Sequence, residues 1–170
     1  MKYQIRDGVF ETNSSSLHTL QISFKGIQKC KLKIDDDGYI HVNLNTYFGK
    51  EFNDYTGQAD KLKYVCTWMY IYYGCNLEQL EEGYEWRNFI DAFCEYVNDV
   101  NNKATINWGK ECFGIKVNPV LGEEQWNYLD HQNQPYGNYD DENCIIALYR
   151  SEDLVNFVFN PMMWLRTDCD

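Results

Sequence analysis

Between Phe10 and Leu20 the chain reads FETNSSSLHTL, which sets a carboxylate (Glu11), an amide (Asn13), three hydroxyls (Ser14, Ser15, Ser16) and an imidazole (His18) within eight positions. Successive backbone amides and hydroxyls can cradle an anion when such a loop takes turn conformations. An imidazole beside it can move a proton on a phosphate ester near neutral pH. A second polar block, Asp130, His131 and Gln132, carries another imidazole far along the chain. The candidate catalytic groups are therefore His18, His131 and Glu11, and the candidate ligand-holding groups are Asn13, Ser14, Ser15, Ser16, Asp130 and Gln132. A nucleotide-type ligand would suit them. Their sharing a site requires the fold to set the two blocks side by side, which the spacing does not by itself force. The same residue types also make ordinary turns, because their side chains satisfy nearby backbone groups. No glycine falls between Thr12 and Lys25, so the serines form neither a Walker-type loop nor a dinucleotide fingerprint, and none sits in a GxSxG elbow.

The third histidine, His41, alternates within YIHVNL and reads as a sheet residue. Asp35, Asp36 and Asp37 invite a calcium reading, but they are consecutive, and the twelfth position of an EF-hand loop starting at Asp35 would be Thr46 rather than Glu. Asp168 and Asp170 add carboxylates without a recognised ligand motif. No metal and no cofactor is expected.

These groups must be held by a chain of 170 residues, long enough to bury roughly 70% of its unfolded surface in one domain. Aromatics make up 16% of it and the formal charge is −11. Neutralising phosphates needs Lys and Arg, so this charge argues against general nucleic-acid binding. It suits a solvated surface, a basic protein partner, or an imitation of nucleic-acid charge. Seven cysteines without a CxxC pair indicate neither a disulfide framework nor a zinc ribbon. MKYQIRDG lacks the apolar core of a signal peptide, and the most apolar run, Tyr64 to Tyr73, is too short to span a bilayer. A reduced, cytoplasmic protein without membrane contact is expected.

The expected architecture is a single α+β domain over 1–170, with a mostly antiparallel sheet packed against two main helices. KYQIR and Leu17 to Phe24 read as strands, the second placing His18 with Leu20, Ile22 and Phe24 on its apolar face. Lys31 to Leu44 reads as a hairpin turning at Asp35 to Gly38. Gln58 to Tyr73 should be a helix closed by Gly74 and apolar nearly all round. The clearest periodicity runs from Tyr84 to Asn98, where Trp86, Phe89, Ile90, Phe93, Val97 and Val100 recur at helical spacing, and Trp86, Phe89, Phe93 and Val97 should pack on the Tyr64–Tyr73 helix. Thr105 to Trp108, Cys112 to Val117, Cys144 to Tyr149 and Met162 to Thr167 read as strands. Pro119 to Gln132 reads as a short helix and its loop, and Asn133 to Asn143 as a polar loop. Ser151 reads as the cap of a short helix ended by Asn160-Pro161.

RDGVFETNSSSLHTL resembles the opening of a family of small, mostly uncharacterised bacterial and phage proteins that begin with a GVFETNSSSxHS-like signature. The similarity extends through ADKLKYVCTWMY, LDHQ and VNFVFNPMMWLRTDCD. Thr19 departs from it, standing where the family often has serine. The resemblance implies that Glu11, Asn13, Ser14, Ser15, Ser16, His18, Asp130, His131 and Gln132 belong to signature blocks, and it implies a phage or mobile-element setting. It supplies no catalytic assignment. Two functions are expected. One is a binding protein that interferes with a host process, as an anti-defence or anti-CRISPR inhibitor does, through an acidic, aromatic-rich surface. Its partner would be a host protein with a basic, nucleic-acid-binding face. The other is a small enzyme or ligand-capturing protein for a phosphate-bearing nucleotide, using Ser14 to Ser16, His18 and His131.

Overall fold

The computed structural model describes residues 16–21, 28–48, 53–103, 106–119, 128–129 and 150–169. In chain order its elements are β1 (Ser16–Gln21), β2 (Tyr39–Leu44), β3 (Tyr47–Phe48), β4 (Asn53–Tyr55), α1 (Gln58–Tyr72), α2 (Leu77–Glu82), α3 (Tyr84–Asn98), α4 (Val100–Lys103), β5 (Gly114–Pro119), β6 (Tyr128–Leu129), α5 (Ser151–Phe159) and β7 (Trp164–Cys169). Helices and strands are both present, as an α+β fold requires. The expectation of a mostly antiparallel sheet needs correction. β1, β7 and β4 form an antiparallel sheet in that order, but β2–β5 and β3–β6 pair in parallel. The reason is connectivity: a chain that runs from β2 through four helices before reaching β5 makes a crossover rather than a hairpin.

The expected hairpin is the clearest casualty. Residues 31–34 alternate exposed with buried and bend at Leu32, and they form no ladder with β2. Three amides between Cys30 and Ile34 are taken by side chains instead. Asn102 Oδ1 accepts from Cys30 N at 3.2 Å, Gln58 Oε1 from Lys31 N at 2.7 Å and Asn107 Oδ1 from Ile34 N at 3.0 Å. The turn itself is real, closed by Asp35 N donating to Tyr39 O at 2.9 Å.

α1 matches its reading closely. It is buried from Tyr64 through Ile71 and ends beyond Tyr72 at Gly74, whose φ of 66° suits glycine. α3 also has the expected bounds, and Trp86, Phe89, Phe93 and Val97 are buried. Its main packing partner differs: the stripe meets chiefly α5, with Phe93 and Phe159 ring centroids 5.4 Å apart and Tyr96 stacked on Phe159 at 4.4 Å. α5 thus lies against both α1 and α3, making three main helices instead of two. β2 covers α1 and β5 covers α3, burying Ile40, Val42, Leu44 and Ile115 between sheet and helices.

Smaller corrections follow the same logic. Ser151 is the first residue of α5 and Arg150 occupies its cap, without a side-chain cap bond. Residues 106–109 form turns rather than a strand, and 128–129 pair as a strand within the segment read as helix and loop. α2 was not anticipated; its Asn76 cap accepts from Gln79 N at 3.1 Å. The readings for KYQIR, Asn133 to Asn143 and Cys144 to Tyr149 lie outside the described residues.

One buried cation joins the helical layer to the sheet. Lys61, in the first turn of α1, is fully buried and donates to Asn160 O at 2.7 Å and Met163 O at 3.0 Å, where α5 ends and β7 begins. Phe157 lies under its ammonium, 5.6 Å to the ring centroid. Burial lowers the Lys61 pKa from its ordinary 10.5 to about 8.

Two outcomes test this packing. Phe93→Ala should cost about 3–5 kcal/mol in a denaturant melt, whereas an unchanged midpoint would refute the α3–α5 contact. For Lys61, the folded state holds its proton less tightly than the unfolded chain does. Wild type should therefore gain stability relative to Lys61→Met as pH rises from about 8 to 10.5, and parallel pH profiles would contradict the burial.

Candidate interaction surface

Of the residues singled out from the sequence, Glu11, Asn13, Ser14, Ser15, Asp130, His131 and Gln132 lie outside the described residues, so the juxtaposition of His18 with His131 does too. The described part of the block is its exit: Ser16 and His18 lie in β1, opposite Cys169 and Thr167 of β7. The polar block therefore leads straight into an antiparallel ladder, and Asp168 stands opposite Leu17, one rung from His18. His41 lies in β2 as expected, but with a partner that was missed. Its Nε2 is 2.7 Å from Asp35 Oδ2, while Asp35 Oδ1 accepts from Tyr39 N at 2.8 Å and Asp37 N at 2.9 Å. The Tyr39 amide first, and then His41, hold the Asp35 carboxyl down at about 2. A carboxylate-held imidazole can serve as a base, but this one lies on an exposed face of β2. Among the described residues, no group of three or more His, Cys, Asp or Glu is placed to hold a metal ion.

A cavity of about 310 Å³ opens between Lys31, Gly57, Gln58, Lys61 and Phe159. Two of its polar side chains are engaged with backbone: Gln58 bonds Lys31 N and Lys29 O, and Lys61 bonds the two carbonyls described above. That pattern fastens the 28–34 segment to α1 and leaves little polar capacity for a ligand.

The feature that packing does not explain is the segment 106–113. Of five large hydrophobic residues exposed among those described, three belong to it: Ile106, Trp108 and Phe113. Trp108 is 91% exposed. It and Gly109 both have positive φ, 50° and 78°, and Lys110 N closes the turn onto Asn107 O at 2.8 Å. Positive φ suits glycine and disfavours a bulky side chain, so the turn presents an indole at some cost in backbone strain.

The 106–113 segment is bolted to the 34–38 turn. Besides the Asn107–Ile34 bond, Lys110 Nζ reaches Asp36 Oδ1 at 2.7 Å and Ile34 O at 3.4 Å, and Phe113 N donates to Gly38 O at 2.7 Å. The Phe113 ring lies so close over Gly38, itself at φ 87°, that a Cβ there would collide with it. Lys110 holds the Asp36 carboxyl below its usual range. Since Asp36 neutralises Lys110, the exposed charges left on the two turns are those of Asp37 and Glu111. The result is an apolar outcrop with an acidic rim. Its signal was present in the sequence as Asn-Trp-Gly, two turn formers around an aromatic, but β-propensity at Thr105 to Trp108 outweighed it in the reading.

Comparison with protein-family models, curated proteins and solved structures gives no match to this chain.

The Asp35 geometry gives a testable acid response. Because its carboxylate binds a proton less readily folded than unfolded, its stabilisation is complete above about pH 4 and disappears as pH falls towards 2. Asp35→Asn should flatten the fall in urea midpoint over that window, and an identical fall in both proteins would contradict the assignment.

Proposed function

We propose that this chain is a binding protein of phage or mobile-element type that interferes with a host process, as an anti-defence or anti-CRISPR inhibitor does. It engages a host protein through an acidic, aromatic-rich surface. The observation that carries the reading is the Trp108 turn, with Ile106 and Phe113 beside it and Asp37 and Glu111 at its edge. Trp is the commonest anchor residue of protein interfaces, and a tryptophan presented at strained backbone angles contributes nothing to the chain's own core. The charge of −11 favours a partner whose face is basic, such as one that otherwise binds nucleic acid. No helix among the described residues is long and apolar enough to cross a membrane, and none of this reading requires one.

The test is affinity capture from cells of the source, with bound proteins identified by mass spectrometry and their affinity then measured on purified components. Trp108→Ala should weaken binding by about thirtyfold or more, the loss expected of an anchor residue, with a melting temperature close to wild type. Binding should also fall with added salt. Undiminished affinity of Trp108→Ala would remove the surface from consideration. The nucleotide-type reading, carried by Ser14 to Ser16, His18 and His131, makes the opposite forecast. There Ser15→Ala with His131→Ala would abolish capture of a phosphate-bearing ligand, and Trp108→Ala would be silent.

A further inference from the structure

The segment that carries Trp108 returns to the body of the protein at Cys112, and one side chain fixes that return. Asn98 Nδ2 donates to Cys112 O and Cys112 N donates to Asn98 Oδ1, both at 2.7 Å. Cys94 lies four residues before Asn98 in α3, one turn away on the same face of the helix. The clamp therefore sets residue 112 over Cys94, and the two sulfurs stand 3.9 Å apart. Their proximity is imposed by an amide clamp, independently of any sulfur chemistry. Cys112 is buried and Cys94 half-buried, so one sulfur of the pair is reachable from solvent. The contact also divides their acidity: the Cys94 thiol, hydrogen-bonded to Cys112, lowers the pKa of Cys112 and has its own strongly raised.

Three other described cysteines are placed differently. Cys30 is buried with its thiol on Leu32 O at 3.8 Å, and burial pushes its pKa up to about 11. Cys66 is sealed within α1, where burial raises its pKa further. Cys75 is exposed, in the turn after α1.

We propose that Cys94 and Cys112 form a disulfide-forming site that closes by exchange with a low-molecular-weight disulfide of the glutathione class. In the first step Cys94, the sulfur reachable from solvent, must shed its tightly held proton before it bonds to one sulfur of the small disulfide, so closure is slow. The small S–S bond breaks, and one small thiol departs with the Cys94 proton. In the second step the Cys112 sulfur attacks the Cys94 sulfur and expels the other small thiol, which takes the Cys112 proton. Two protein thiols are thereby oxidised to one disulfide while one small disulfide is reduced to two thiols. The sulfurs close from 3.9 Å to about 2.05 Å as the bond forms. The bond ties the base of the Trp108 segment to α3, and it goes beyond the docking reading because it does not depend on what the outcrop binds.

The test incubates native protein over a range of oxidised-to-reduced glutathione ratios, blocks remaining thiols by alkylation and maps the digest by mass spectrometry. The expected product is a Cys94–Cys112 linked peptide, with intact mass lower by two hydrogens, reversed by dithiothreitol and accompanied by a rise in melting temperature. Cys75→Ser should behave as wild type. Cys94→Ser, which alters the half-buried partner and so spares the core, should lose both the link and the rise. Separate alkylation of Cys94 and Cys112 at every ratio would overturn the proposal. So would a Cys30–Cys112 link, or a Cys94–Cys112 link formed only after denaturation.

Discussion

The run from Cys30 to Ile34 must satisfy its peptide groups without a neighbouring strand, and much of the described architecture answers that constraint. A buried amide left unpaired costs about 1–3 kcal/mol, so those of Cys30 and Ile34 need partners, and the exposed Lys31 amide finds one as well. The donors go to side-chain carbonyls carried by helices and turns: Asn102 after α3, Gln58 opening α1, and Asn107 at the base of the Trp108 turn. Each bond does more than fill a vacancy on the run. Asn102 also donates to Tyr96 O at 2.7 Å, which ties the run to α3, and Gln58 returns a bond to Lys29 O at 2.9 Å. The segment thus acts as a seam between helices that are distant in sequence.

Lys61 is the counterpart on the other side of that seam. A buried ammonium is costly unless oxygen atoms surround it, and here they are peptide carbonyls at the end of α5 rather than a carboxylate. A cation at a helix C-terminus meets the negative end of the helix dipole, which offsets part of the desolvation that depresses its pKa. Asn160 is well built to receive it. Its side chain accepts from Met162 N at 2.9 Å, holding the Asn-Pro turn, while its carbonyl accepts from both Lys61 and Met163 N. The turn that ends α5 therefore aims β7 back toward β1 and β4, the sheet into which the serine block runs.

What could be read from the sequence follows from which forces are local. α1 and α3 emerged with nearly correct bounds because burial on a helix writes its period directly into Trp86, Phe89, Phe93 and Val97. The partner of that stripe was not legible, since any apolar helix satisfies the same pattern; α1 was chosen where α5 is found. The Lys31 to Ile34 run alternates as a strand should, and its alternation is real, with Cys30, Leu32 and Ile34 buried. Its hydrogen-bond partners, however, are asparagine and glutamine side chains, for which sequence has no periodic signal. Parallel pairing of β2 with β5 was hidden for the same reason, being a property of distant segments. Lys61 stood as an unremarked charge in an apolar helix, although a lysine within such a run is itself a hint of a buried partner. Of the candidate site, the exit of the serine block into β1 was legible, whereas the Asp35–His41 contact and the Trp108 turn were not.

The placement of Trp108 gains meaning from the seam beneath it. A flexible loop that presents an aromatic anchor loses conformational entropy when it docks, and that loss is subtracted from affinity. Here Asn107 is buried and bonded to Ile34, Lys110 spans to Asp36, and Phe113 is locked over Gly38, so the segment is ordered before any partner arrives. The same bonds hold Cys112 under the Asn98 clamp, which places the paired thiols at the foot of the outcrop. A change of covalent state there would act on a surface that these bonds already order. Its effect would therefore be to adjust the rigidity of that surface rather than to assemble it, and rigidity is the property on which binding through a single exposed indole most depends.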